Sequence, residues 1–139
     1  MLVRVLGLQE AAGEVTFTDV QPGDWHYRVI ASAFRHGLVK GYSASTFGPG
    51  DPVTREQVAA MLTRALAFKG ISVELNEAQT AELLGRFSDA GEISAWAKTS
   101  VAAAANQQLV NGYPDQTFKP QNTATRVEVA TMLKRLYEK

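Results

Sequence analysis

Arg55 and Arg126 each follow a threonine at the start of an apolar helix pattern, in "TREQVAAML" (54–62) and "TRVEVATML" (125–133). A cation there opposes the positive end of the helix dipole by roughly a few tenths of a kcal/mol, so each arginine calls for a compensating negative group. Two sources are open. One is a carboxylate of the chain itself, Asp51 or Glu56 nearby, or one from another repeat. The other is a bound anion. The first N–H groups of a helix and a guanidinium can converge on a carboxylate or phosphate, and the planar guanidinium fork suits a carboxylate held at two points. The neighbours of the arginines have a purely structural account. Thr54 with Gln57, and Thr125 with Glu128, have the spacing of a capping box, in which the hydroxyl accepts a helix N–H and the third residue reaches back to the cap.

Trp25 and Trp96 precede helical patterns and are read either as core or as flat surfaces on which a sugar ring stacks. Asp19, Asp24 and Asp89 are read as helix caps, with hydrogen bonding to sugar hydroxyls as the alternative. His26 and His36 are the only histidines. Neither has a counterpart elsewhere in the chain, and both are read as surface residues. No nucleophile elbow, metal-ligand cluster or phosphate loop is present. No catalytic residue, cofactor or metal site is therefore expected, and the chain is read as not an enzyme.

These residues recur because the chain repeats. Trp25 and Trp96, Gly41 and Gly112, Tyr42 and Tyr113, Phe47 and Phe118, Pro49 and Pro120, and Arg55 and Arg126 all differ by 71 in number, whereas "FTDV" and "FSDA" upstream differ by 70. "MLVRVL" at the start lines up with "MLTRAL" and "MLKRLY". The predicted organisation is a C-terminal helix remnant of a preceding repeat (1–14), a repeat (15–68), a linker with a short helix (69–85) and a second repeat (86–139). Each repeat reads as helix, loop, helix. Val29, Ile30, Ala33 and Phe34 mark one face of the first helix, and Gly37 is a left-handed stop. Gln108 stands in its place in the second copy, so that stop is expected to be built differently. The loops "GYSASTFGPGDPV" and "GYPDQTFKPQNTA" have turn composition, with Phe47 and Phe118 expected to pin them to the core. The second helices carry stripes at Val58, Met61, Leu62, Ala65 and Leu66, and at Val129, Met132, Leu133, Leu136 and Tyr137. Met1, Leu2, Val5 and Leu6 are the third such stripe. In the linker, Asn76 with Gln79 marks a helix start and Gly85 a stop.

Composition narrows the function. Fourteen basic and 14 acidic residues cancel, which disfavours nucleic acid as a partner. The absence of cysteine removes disulfide and thiolate chemistry. Hydrophobic residues make up 45% of the chain, enough for a packed core. No apolar run reaches the roughly 20 residues of a membrane helix, so no membrane insertion is expected. The first residues do not read as a signal peptide, and an export signal is expected outside this chain.

The ordered elements F-x-D, Trp, G-Y-…-F-x-P and Thr-Arg, the last as T-R-E-Q in the first copy and T-R-V-E in the second, occur twice and resemble the surface-layer homology (SLH) repeat over nearly the whole chain apart from the linker. The resemblance implies an all-α fold of tandem helix–loop–helix repeats packed as a pseudo-three-fold helical bundle. It also implies a non-catalytic, extracellular module at the bacterial cell surface that binds secondary cell wall polysaccharide through a pyruvylated terminal sugar. By position, the ligand-binding residues it implies are Arg55 and Arg126, with Trp25, Trp96, Gly41, Gly112 and Asp115. The first loop departs from the pattern, since Ser43 and Ala44 replace Pro114 and Asp115, and Gln57 replaces the glutamate. Gln116 stands where a loop glycine is usual, and Glu56 beside Arg55 is a competitor for an anionic ligand. A second reading is a protein–protein assembly module that self-associates or is completed by another SLH repeat, covering the Met1, Leu2, Val5 and Leu6 surface.

Overall fold

The computed structural model describes residues 1–8 and 15–139. Part of the expected remnant, 9–14, lies outside the described residues. The described chain is helical: α1 (Leu2–Val5), α2 (Tyr27–Arg35), α3 (Arg55–Phe68), α4 (Glu77–Leu84), α5 (Lys98–Asn106) and α6 (Arg126–Tyr137). Short 3-10 turns at Ala90–Glu92 and Ala95–Ala97 lead into α5. The extended structure among the described residues is one antiparallel bridge between Thr54 and Thr123.

The chain forms two compact units, Met1–Asp51 and Pro52–Lys139. In the first, α1 packs against α2. Phe17, Val20 and Ile30 form a core to which Val15, Tyr27, Phe34 and Phe47 add their partly buried rings and methyls. The Phe17 ring lies 5.1 Å from Phe34 and 5.2 Å from Phe47, so the loop phenylalanine pins its loop as the sequence suggests. The α1 stripe differs from the expected one. Val3 is its buried residue, Met1 is exposed, and Leu2, Val5 and Leu6 are half-buried.

In the second unit, α3 and α4 pack on α5, and α6 packs on α3. Val101 to Ala105 are all buried, and their small side chains let neighbouring helices approach closely. The α3 face buries Val58, Leu62, Ala65 and Leu66 as predicted, and Ala59 and Ala60 besides, while Met61 is half-buried. On α6, Met132, Leu133 and Leu136 are buried, but Tyr137 at the helix end is 70% exposed and does not belong to the stripe. Phe118 is fully buried, 5.2 Å from Phe87, and anchors the second loop.

Helix ends follow the sequence with two exceptions. Thr54 and Gln57 form a complete capping box on α3, and Asn76 and Gln79 form one on α4. Thr125 accepts the Glu128 N–H, but Glu128 does not reach back. The expected capping box on α6 is therefore only half made, because the Glu128 carboxylate is engaged elsewhere. The second exception is the stop of α5. Gln108 adopts φ +58°, as Gly37 adopts +70°. The closing bonds also match: Leu38 N–H donates to Ala33 O and Leu109 N–H to Ala104 O, both at 2.9 Å. The stop is built the same way in both copies, with the second bearing the strain of a side chain in the left-handed region.

Candidate carbohydrate-binding site

The two Thr-Arg helix starts have opposite environments. Arg55 is 3% exposed. Its Nε donates to Phe118 O at 2.6 Å, its Nη2 to Asn111 O at 3.2 Å and its Nη1 to Glu128 Oε2 at 2.5 Å. Its guanidinium carbon sits 4.5 Å from the Tyr113 ring centroid and 4.9 Å from that of Phe118, within cation–π range. The helix N–H groups beside it are also occupied. Arg55 N–H donates to Asn122 O and Glu56 N–H to Pro120 O, and Gln57 N–H is capped by Thr54. The compensating group for Arg55 is thus a carboxylate from the other repeat, one of the sources the sequence left open. Neither Glu56 nor Asp51 supplies it.

Glu56 faces another way and is itself 2% exposed. Its carboxylate accepts the Ser94 N–H and hydroxyl, at 3.0 and 2.7 Å, and the Gln121 amide at 3.1 Å. It ties α3 to the entry of the Ala95–Ala97 turn and does not compete at Arg55.

Glu128 is held at both oxygens, by Arg55 and by the Tyr113 hydroxyl at 2.9 Å. Burial alone would raise its pKa, but the hydrogen bonds from Arg55 and Tyr113 outweigh burial and leave it below the usual value. Burial, then the bond to Glu128, pushes the Tyr113 phenol up. Lys119 Nζ lies 4.6 Å from the same Tyr113 ring. Tyr113 and Glu128 were absent from the residues singled out as ligand contacts. The recurring Gly-Tyr pair signalled that the tyrosine has a task, though not which one.

Arg126 is exposed, and no hydrogen bond or ion pair of its side chain is present among the described residues. Thr125 takes the Glu128 N–H at 3.2 Å, while the N–H groups of Arg126 and Val127 have no protein acceptor there. Val127, beside it, is 77% exposed. The start of α6 is thus open where that of α3 is closed.

The remaining candidates divide between scaffold and surface. Trp25 is 91% exposed and Trp96 59%, so neither is core and both present ring faces to solvent. The Trp25 ring meets His26 edge-on at 5.2 Å. His26 is half-buried, with its Nδ1 lacking a partner, and His36 Nδ1 lies 2.8 Å from Ser32 O, so the histidines are less superficial than expected. Gly41 and Gly112 are packing sites: a Cβ would come 2.5 Å from the Phe17 ring at Gly41 and 3.0 Å from Thr117 O at Gly112.

Asp115 accepts from Thr117 N–H and Oγ1, at 3.0 and 2.6 Å. Those bonds, the hydroxyl's first, lower its pKa. In the other loop Ser43 does the same work from one residue earlier, accepting from Ser45 and Thr46 N–H. Asp19 and Asp89 are not helix caps. Each reaches the loop of its own repeat: Asp19 takes the Phe47 and Gly48 N–H groups, and Asp89 those of Phe118 and Lys119. The Gly48 bond, then that of Phe47, holds Asp19 below the usual carboxylate range. Among the described residues no cluster of His, Asp or Glu is suited to a metal ion.

Comparison with known proteins agrees with this repeat. The family model described as S-layer homology domain matches residues 16–59 and 86–130. The exoglucanase XynX of Acetivibrio thermocellus is 34% identical over the whole chain, which spans 12% of that protein. The surface-layer 125 kDa protein of Lysinibacillus sphaericus is 30% identical over 93% of the chain and 10% of its own length. The cellulosome-anchoring protein of Acetivibrio thermocellus is 33% identical over the whole chain and 30% of its own length. The chain thus spans less than a third of each of these relatives, and the matched part of the enzyme is a small share of it.

Proposed function

The chain belongs to the S-layer homology domain family, and from that premise we propose that it is a non-catalytic anchoring module of the bacterial cell surface. It binds secondary cell wall polysaccharide through a pyruvylated terminal sugar. The observation that carries this reading is the exposed Arg126 at the half-capped start of α6, where a guanidinium lies beside two N–H groups with no protein acceptor among the described residues. A pyruvate ketal presents one carboxylate on a sugar ring, which suits that arrangement. The exposed rings of Trp25 and Trp96 offer stacking faces for sugars. Gly41, Gly112 and Asp115 act through the loops they shape. Arg55 is engaged by Glu128 and contributes only where that pairing yields. Relatives named as surface-layer and cellulosome-anchoring proteins support attachment at the surface.

Sedimentation with purified cell walls tests the reading. Binding is expected to fall sharply when pyruvate is removed chemically, and Arg126→Ala is expected to weaken it at least tenfold while leaving the fold intact. Binding that survives depyruvylation unchanged sinks the anion-recognition mechanism.

One observation favours a second reading, assembly with a further SLH repeat. Arg55 shows how a Thr-Arg helix start docks into a Gly-Tyr loop of another repeat, and no such loop meets Arg126 among the described residues. Light scattering over a range of concentrations separates the two readings, since a strict monomer disfavours self-association.

A further inference from the structure

The Gly-Tyr loop that receives Arg55 has a twin in the first unit. In both repeats the F-x-D aspartate holds its loop by two N–H groups, Asp19 by those of Phe47 and Gly48, Asp89 by those of Phe118 and Lys119. Tyr42 and Tyr113 each donate their N–H to a threonine carbonyl at 2.8 Å. Each loop phenylalanine lies 5.2 Å from the F-x-D ring of its own repeat, tilted by 45°. The two loops are thus one kind of socket, tied at the same points. The second grips the Arg55 side chain by the Asn111 and Phe118 carbonyls, and the first two N–H groups of α3 by those of Asn122 and Pro120. The carbonyls 71 residues earlier belong to Lys40, Phe47, Asp51 and Pro49. None of these four receives a donor among the described residues. Tyr42 is 58% exposed, whereas Tyr113 is half-buried against Arg55.

The start of α6 is the matching plug. The N–H groups of Arg126 and Val127 have no protein acceptor, and the Arg126 side chain no partner, among the described residues. Plug and socket differ from their counterparts in a correlated way. Glu56, the second residue of α3, is buried with its carboxylate on the Gln121 amide of the second loop. In α6 that residue is Val127, and in the first loop Gln121 is replaced by Gly50, with open space where a Cβ would point. A carboxylate buried against Gly50 would lack the amide donor and carry a desolvation cost, whereas a valine carries none. Charge changes in the same sense. In the second socket Lys119 Nζ lies 4.6 Å from the Tyr113 ring centroid. In the first that residue is Gly48, where a Cβ would overlap both the Tyr42 ring and the Asp51 carboxylate. The first ring is therefore free of a resident lysine and has a carboxylate beside it, which suits an incoming guanidinium.

We propose that the start of α6 in one copy of this chain docks into the Tyr42 loop of a second copy. Arg126 reaches the Tyr42 ring and the Lys40 and Phe47 carbonyls, while the N–H groups of Arg126 and Val127 reach those of Asp51 and Pro49. The inference rests on the assembly reading above and names its partner and contact. Each chain carries one plug and one socket, so the contact is head-to-tail and either closes into a ring or runs on. A contact of this size belongs with weak, transient interfaces. Arg126 is also where the sugar carboxylate is placed, so the wall ligand and a second copy compete for it.

Analytical ultracentrifugation of the full chain at rising concentration tests the contact. The weight-average mass of the parent is expected to rise with concentration. Arg126→Ala on the plug and Gly50→Arg on the socket are each expected to weaken association by about tenfold or more. Tyr42→Ala, at an exposed ring, is the second socket variant should Gly50→Arg not fold. Mixed in equal amounts, the plug variant and a socket variant are expected to form a dimer and nothing larger, because one intact plug then meets one intact socket. A mixture that stays monomeric, or variants that associate as the parent does, overturns this contact and leaves the assembly reading standing. A parent that is monomeric at every concentration overturns both.

Discussion

Arg55 and Arg126 are the same residue type at the same repeat position, yet they act on different properties. Removing one partner of a buried, hydrogen-bonded ion pair costs roughly 3–5 kcal/mol. Because Glu128 is 22% exposed, Arg55→Ala is expected at the lower end, about 3 kcal/mol, read by denaturant unfolding. Arg126→Ala, at an exposed site with no partner among the described residues, is expected within about 0.5 kcal/mol. The pH dependence follows from Glu128. Its folded pKa is depressed, so the pair's stabilisation is complete above the unfolded carboxylate value and is lost as pH falls through the folded one. An acid titration of stability should show a loss in the parent that Glu128→Gln lacks, while the contributions of Asp19 and Asp115, also depressed, remain in both. The sequence made it clear that both arginines need an anion. It could not tell them apart, because the difference lies in what the Gly-Tyr loop of another repeat brings to Arg55, a contact 56 to 73 residues away.

At the scale of elements, local signals were the most legible. The Thr54–Gln57 and Asn76–Gln79 boxes depend on residues three apart and are made as read. The α6 box failed because a distant arginine outbid a local N–H, as a charge-assisted bond does against a neutral one. Gln108 failed differently. Its side chain argued against a left-handed stop, but the packing of Leu109 and Val110, both buried just after it, imposes the turn. A non-glycine residue held there carries roughly 1–2 kcal/mol of strain, part of which glycine's extra unfolded-state entropy returns. Gln108→Gly, at an exposed position, is therefore expected to raise stability by about 1 kcal/mol. Gln116, at φ +66° in the second loop, is a second position of the same kind. Equal or lower stability of the Gln108→Gly protein in urea would contradict the strain argument.

For the molecule as a whole, the boundaries of the repeats are not those of the compact units. The repeated pattern puts α3 with the residues before it, in 15–68, whereas packing puts it in the unit Pro52–Lys139. The reason is chemical. Helix α3 sends Arg55 to Glu128, Glu56 to Ser94, the Thr63 hydroxyl to Ser100 O and Lys69 Nζ to Leu136 O at the end of α6. Its apolar face, Val58, Leu62, Ala65 and Leu66, is buried in the same assembly. Sequence similarity reports which segments share an ancestor pattern and is silent on which copy a helix packs against, so this division was not legible beforehand. It has a direct consequence for truncation. A fragment of residues 52–139 keeps every one of these contacts and should unfold cooperatively, with a urea m-value in proportion to its size. A fragment of residues 69–139, cut at the repeat boundary, loses the α3 face against α5 along with the clasp on Glu128, and exposes the alanine surface of α5. It is expected to show little cooperative unfolding by circular dichroism. If the shorter fragment proves as stable as the longer one, α3 is an appendage of the first repeat, and the clasp at Glu128 adds nothing to the second unit.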